Sequence, residues 1–226
     1  MRPPRGPFRP AIVNSTAPKP TVAFACAPDV TSTPAPGRRA AVAAWVLRRI
    51  GWRVVLAQPV PWRCVVVFYP HTSNWDFPIG LLADWAVGIH FRWVGKDTLF
   101  RGPWRGMFVR WGGIPVNRRM STGFIDQLAE LIRRESDCRI VIAPEGTRSR
   151  TDHWRSGFYH LALAAGVPVA LAFIDYPTRR VGVGGFVELT GDRTADLARI
   201  AARYAGATGR RPELQGPIRL KEPPPA

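Results

Sequence analysis

The 226 residues are enough for one ordinary domain with tails, or at most two small ones, with a substantial buried core. A hydrophobic fraction of 46% and a charged fraction of 21% exclude a chain disordered throughout. The excess of 32 Lys and Arg over 16 Asp and Glu, a formal +16, points to an anionic partner. Nucleic acid, an anionic membrane surface, phosphorylated small molecules and acidic carrier proteins all satisfy that charge. Of the 32 cations 29 are Arg, which suits bidentate phosphate recognition and follows equally from biased codon usage.

Cys26, Cys64 and Cys138 are widely separated and form no CxxC pair, so neither a disulfide framework nor a metal site is expected. The opening MRPPRGPFRP lacks the apolar stretch of a secretory signal. The longest uncharged apolar run near it, Ala40 to Leu47, is far short of the roughly 20 residues that span a bilayer. The sequence therefore predicts no signal peptide, no transmembrane helix and a location on the cytoplasmic side.

Nine of the 23 prolines fall in residues 1–37, which reads as a disordered arm. Residues 38–63 carry six arginines, no acid and Trp45, Trp52 and Trp62. Cys64 to Tyr69 is a continuous apolar, β-branched run, as in a strand buried on both faces, and Pro70 ends it. Residues 77–88 read as a helix, 89–94 as a strand and 113–116 as a short one. Ser121 can cap a helix in which Phe124, Leu128, Leu131 and Ile132 share a face. Residues 139–143 form a strand, followed by a helix with Phe158, Leu161, Ala162 and Ala165 on one side. Strands at 167–174 and 181–189 and a helix through Leu197, Ile200, Ala201 and Tyr204 complete the domain, 38–205. Residues 206–226, ending in PPPA, form a tail or loosely packed strap. The alternation predicts an α/β layer structure, a largely parallel central sheet flanked by helices.

Function in such sheets gathers beyond the carboxyl ends of the strands. Three polar clusters stand there: His71 to Asp76, Asn117 to Arg119, and Glu145 to Arg148. His71 and Asp76 are about 140° apart on a helix and on opposite faces of a strand, so only an intervening turn brings them together. Thr72, Ser73 and Asn74 suit a turn, and Pro78 places the helix start near Asp76. A carboxylate on Nδ1–H then leaves Nε2 free as a base. The simpler reading makes Asp76 a helix cap and His71 a loop residue. No G-x-S-x-G is present, so a base here acts on the substrate.

HTSNWD (71–76), GGIPVNR (112–118), EGTRS (145–149) and VPVALAFI (167–174) resemble, in order and spacing, the four motifs of the glycerolipid and lysophospholipid acyltransferases. The stretch 94–113, with Lys96, Pro103 and Gly106, is similar to the lysine-containing segment between the first two. The resemblance implies acyl transfer from acyl-CoA or acyl-carrier protein to a hydroxyl of a lysophospholipid such as 1-acylglycerol-3-phosphate, with no metal or redox cofactor. It makes His71 the general base and Asp76 its orienter. Lys96, Arg118 and Arg148 would hold the acceptor's phosphate, and Glu145, Gly146 and Thr147 would position its glycerol part. Arg155 is a weaker phosphate candidate. Pro70, where many members have Asn, and the bulky Asn74-Trp75 depart from the pattern and leave the head group open.

Two readings of residues 38–63 stand side by side: a peripheral contact with an anionic membrane surface, or a first core helix with its tryptophans inward. Other acceptors within the family, a lyso-ornithine lipid, a glycolipid or glycerol-3-phosphate, are the nearest alternatives. A basic nucleic-acid-binding module is the alternative from another class, and no RNP motif or Gly-x-x-Gly clamp accompanies it.

Overall fold

The computed structural model describes Ala35 and residues 37–57, 59–116 and 123–221. All but Ala35 and Gly37 of the proline-rich arm, as well as Arg118, Arg119, Ser121 and the closing PPPA, lie outside the described residues. At the centre is β2 (Arg63–Tyr69), buried along nearly its whole length, as its unbroken apolar run requires. The other strands are β1 (Arg53–Leu56), β3 (Phe91–Lys96), β4 (Gly113–Val116), β5 (Cys138–Ile142), β6 (Val169–Asp175) and β7 (Arg180–Val187). They form one seven-stranded sheet in the order β1-β7-β6-β2-β5-β3-β4. Every neighbouring pair is parallel except β6 and β7, which make a hairpin.

Helices cover both faces. Val65, Val67 and Tyr69 of β2 pack with Leu128 and Ile132 of α4 (Phe124–Arg134), Phe158 and Leu161 of α5 (Gly157–Ala165), and Ile200 of α6 (Arg193–Arg203). On the other face α1 (Arg38–Arg49) and α2 (Asp76–Val87) meet through Ala43, Ala44 and Leu47 against Ile79, Ala83 and Ala86. Small residues let the two helices approach closely. The α4 helix begins behind Gly123, at φ 80°, with no side-chain cap among the described residues.

The predicted elements are present with ends moved by a few residues: the strand expected at 89–94 runs over 91–96, and that at 181–189 over 180–187. Two were not anticipated, β1 and the short α3 (Arg105–Arg110). The former is four residues inside a segment read for its charge, and the latter buries none of its side chains. Within 38–63, the inner face of α1 is core, and Trp52 is 6% exposed with its ring edge-on to Tyr176 at 5.0 Å.

Residues 206–221 pack as a strap over the carboxyl end of the sheet. The Tyr69 hydroxyl donates to Gly216 O (2.8 Å), Arg211 N–H to Thr72 Oγ1 (3.2 Å), and Trp154 N–H to Arg219 O (2.7 Å). The contact needs a bare backbone: a Cβ on Gly216 would lie 2.3 Å from Thr151 O. Gly216→Ala therefore has to push the strap away, at a cost of roughly 1–3 kcal/mol, and thermal unfolding should show a melting temperature lowered by several degrees. An unchanged Tm would mean that the strap carries no stability.

Candidate active site

The chain leaves β2 through a cis Tyr69–Pro70 bond, turns over residues 72–75 and enters α2 at Asp76. That turn sets His71 Nδ1 3.1 Å from Asp76 Oδ2. Asp76 is not the helix cap. The cap position is Trp75, and the buried Asp76 carboxylate points back into the loop, where Oδ2 also accepts from Ser73 N–H (2.9 Å) and Oδ1 from the Tyr176 hydroxyl (2.7 Å). Tyr176 comes from the β6–β7 turn. Burial and the adjoining Asp76 carboxylate push its phenol well above the ordinary range, which keeps it a donor.

The loop is braced from beneath. Glu145, after β5, is 2% exposed and accepts from His71 N–H at 2.6 Å and from Gly216 N–H on the strap. Burial raises its carboxyl to about 7, and the two backbone donors oppose that rise. Ser73 Oγ accepts from Trp75 N–H (3.2 Å), and Asp76 N–H reaches Ser73 O. Pro78 has no N–H, so among the described residues the donor at the start of α2 with no backbone or side-chain acceptor is Phe77 N–H.

His71 and Asp76 open into a cavity of about 1270 Å³, larger than the roughly 300–1,000 Å³ of common small-molecule sites. Its polar end carries Asn74, Lys96, Gly146, Thr147, Arg148 and Arg155. Among the described residues Lys96, Arg148 and Arg155 face no carboxylate. Gly146 sits at φ 66°, and a Cβ there would be 2.6 Å from Arg155 Nε, so the guanidinium lies directly across the bare backbone. Much of the remaining lining is apolar, though His153, Arg193 and Lys221 also contribute: Val66 and Phe68 of β2 with Ala172 and Val183 on the sheet, and from α2 Phe77, Gly80, Leu81 and Val87, with Asp84 among them. That spacing is one helix stripe. No group of three or more His, Cys, Asp or Glu among the described residues is arranged to hold a metal ion.

Of the residues singled out in the sequence, the structure gathers His71, Asp76, Lys96, Gly146, Thr147 and Arg148 at one cavity. Glu145 is beside it but turned inward, onto the His71 backbone, and does not line it. Arg118 lies outside the described residues; Val116, two positions earlier, pairs with Lys96. Tyr176 and Asp84 escaped sequence reasoning. Nothing in their neighbours marks Tyr176, since only the hairpin fold brings it to Asp76. Asp84 does interrupt the apolar stripe of its helix, a signal that could have been used.

Asp84 Oδ1 accepts from Phe91 N–H (3.3 Å), and burial raises its carboxyl to about 7 against that bond and Arg39. An unfolded Asp loses its proton near 3.9, whereas the folded one keeps it to about 7. Stability contributed by the neutral acid is therefore lost as pH rises from about 4 to about 7 and stays lost above. Asp84→Asn keeps the acceptor for Phe91 and removes this penalty. Thermal unfolding should show the variant gaining more Tm at pH 8 than at pH 5; equal gains would refute the assignment.

A sequence model of the family described as Acyltransferase matches residues 53–173, from β1 into β6. No curated protein matches the chain significantly. Among solved structures it is similar to the 1-acyl-sn-glycerophosphate (LPA) acyltransferase PlsC from Thermotoga maritima, at 17% identity and TM-score 0.48, over 71% of this chain and 72% of that one. Because the family match takes in more than half of the 226 residues, the chain belongs to the acyltransferase family.

Proposed function

We propose that the chain transfers a fatty acyl group from acyl-CoA or acyl-carrier protein to a hydroxyl of a lysophospholipid, with 1-acylglycerol-3-phosphate the best-fitting acceptor and an anionic membrane surface the place of encounter. The observation that carries this reading is the His71–Asp76 pair at the boundary between a cationic cavity end and an apolar one. A lysophospholipid has the same two-part character.

In this reading the acceptor hydroxyl lies between His71 Nε2 and the thioester carbonyl. As the oxygen attacks, its proton passes to Nε2, and Asp76 stabilises the imidazolium from the Nδ1 side. The tetrahedral oxyanion is met by the free Phe77 N–H and the positive end of the α2 dipole. Collapse breaks the C–S bond, and the thiolate takes the proton back from Nε2, leaving ester and free thiol with an unprotonated imidazole. Lys96, Arg118 and Arg148 hold the phosphate, with Arg155 as a fourth contact; Arg fits two oxygens at once where Lys acts as a point charge. The position of Glu145 supports a role in fixing the His71 backbone in place of direct contact with the glycerol. Gly146 and Thr147 remain the residues next to it on the cavity wall.

Lysophosphatidic acid and palmitoyl-CoA presented on anionic vesicles test the reading. The wild type should form diacyl product, and His71→Ala should lose about 10²–10⁴-fold in kcat. Equal product from both would sink the mechanism. Arg148→Ala should raise KM for a phosphorylated acceptor and leave that for an unphosphorylated monoacylglycerol unchanged; equal effects on the two would remove the phosphate role. Tyr176→Phe deprives Asp76 of a donor that touches no substrate, so steady-state kinetics should show kcat lowered several-fold at constant KM.

A further inference from the structure

We infer that the membrane-docking surface is built around the segment between β3 and β4, residues 97–110, together with Trp75, that Trp62 of the acid-free stretch 38–63 has no part in it, and that its partner is a bilayer with anionic head groups. The inference rests on the lipid-acceptor reading above and names the face through which that acceptor arrives.

At the carboxyl edge of the sheet the cavity is lined by Lys96, Thr98 and Leu99. Three large apolar side chains stand out into solvent in the segments that follow β2 and β3 from this edge: Trp75 (57% exposed), Leu99 (45%) and Trp104 (64%). Cations alternate with them. Arg101 and Arg105 are exposed in the same segment, and the Arg210 guanidinium lies 5.9 Å above the Trp75 ring. From Lys96 to Trp111 there are four cations, Lys96, Arg101, Arg105 and Arg110, and a single acid, Asp97, which Arg101 holds at 2.6 Å. Indole rings favour the head-group level of a bilayer, and arginines lay their stems on apolar surface while their heads meet lipid phosphates.

The outward groups are fixed from behind. Phe100 is buried and stacked on Trp93 at 5.5 Å, and Phe108 packs edge-on against Phe77 (6.3 Å) and Trp93 (6.0 Å). With this inner aromatic layer occupied, Leu99 and Trp104 have no core position left to them. Their exposure is therefore built into the segment.

The stretch 38–63 divides: Val42, Trp45 and Ile50 of α1 are exposed, and α1 ends beside Arg179 of the β6–β7 turn, at the same edge of the sheet as His71, whereas its other two tryptophans are placed differently. Trp52 is buried, and Trp62 precedes the first residue of β2, at the opposite end of the strand from His71. Seven residues of strand separate the two by about 23 Å. The Trp62 ring is also covered by the Arg139 guanidinium at 5.2 Å. A membrane plane at the cavity mouth cannot include Trp62.

Sedimentation of the full chain with sucrose-loaded vesicles, of phosphatidylcholine alone or with phosphatidylglycerol, reads docking apart from turnover. The wild type should bind the phosphatidylglycerol vesicles and be released by salt. The W104A/R105A double variant should lose 10-fold or more in partitioning, while W62A should bind as the wild type does. With a short-chain, monomeric lysophosphatidic acid in solution, the double variant should turn over at the wild-type rate, so that a failure of docking is distinguished from a failure of the proposed chemistry. The inference is overturned if W62A loses binding and W104A/R105A keeps it, or if the wild type does not sediment with anionic vesicles. It is also overturned if light scattering shows that W104A/R105A dissociates a wild-type oligomer while leaving vesicle binding unchanged, since the face would then join copies of the chain.

Discussion

The interaction on which the rest depends is the burial of one carboxylate. Asp76 is 1% exposed, and a charge taken that far from water is tolerated only when its oxygens are met by donors. Its donors come from separate places: Ser73 N–H from the loop after β2, the imidazole of His71 from the same loop, and the Tyr176 hydroxyl from the β6–β7 hairpin. Satisfying Asp76 thus fixes the turn that carries His71, the first residue of α2, and the position of the hairpin relative to both. Glu145 performs the same service a layer down, joining the β5 loop, the His71 backbone and the strap. Two buried acids anchor the two loops, and the imidazole edge that remains is directed into the cavity.

The cavity explains how the chain's charge is distributed. Many arginines are spent on exposed pairs, Arg92 with Glu135 or Arg133 and Arg134 with Glu130, which contribute little to stability individually. Lys96, Arg148 and Arg155 face no acid among the described residues, and all three stand at one cavity. The informative cations are those that face no carboxylate among the described residues and line one cavity. Asp84 gives the complementary case, an acid placed where the surroundings are apolar, which retains its proton up to about 7.

Much of this was legible in the sequence, and what was not has a physical reason. The continuous run at 64–69 could only be a doubly buried strand, and the impossibility of joining His71 to Asp76 along a helix or a strand already required the turn that the structure contains. The amphipathic spacing of Phe124, Leu128 and Ile132 marked α4. By contrast, β1 is too short to show a period, and α3 only half-buries the adjacent Met107 and Phe108, so neither leaves a pattern. The tryptophans of 38–63 divide between core and surface according to which face each takes, and composition alone does not say which. Tyr176 reaches Asp76 across 100 residues of sequence, and the inward turn of Glu145 depends on a strap some 70 residues further on; such contacts belong to the tertiary fold and have no local signature.

The strap has a consequence for how the enzyme comes into being. The family segment ends at residue 173, yet Thr72 is held by Arg211 and Tyr69 by Gly216, partners that follow them by 139 and 147 residues. At a synthesis rate of about 5–20 residues per second, the loop bearing His71 leaves the ribosome roughly 7–30 s before the backbone that secures it. For that interval the nascent chain carries the sequence of its central strand and of the loop after it but not the contacts that hold that loop. The arrangement of the His71 loop is therefore among the last features the chain can complete, once a run rich in Gly, Pro and Arg closes over it.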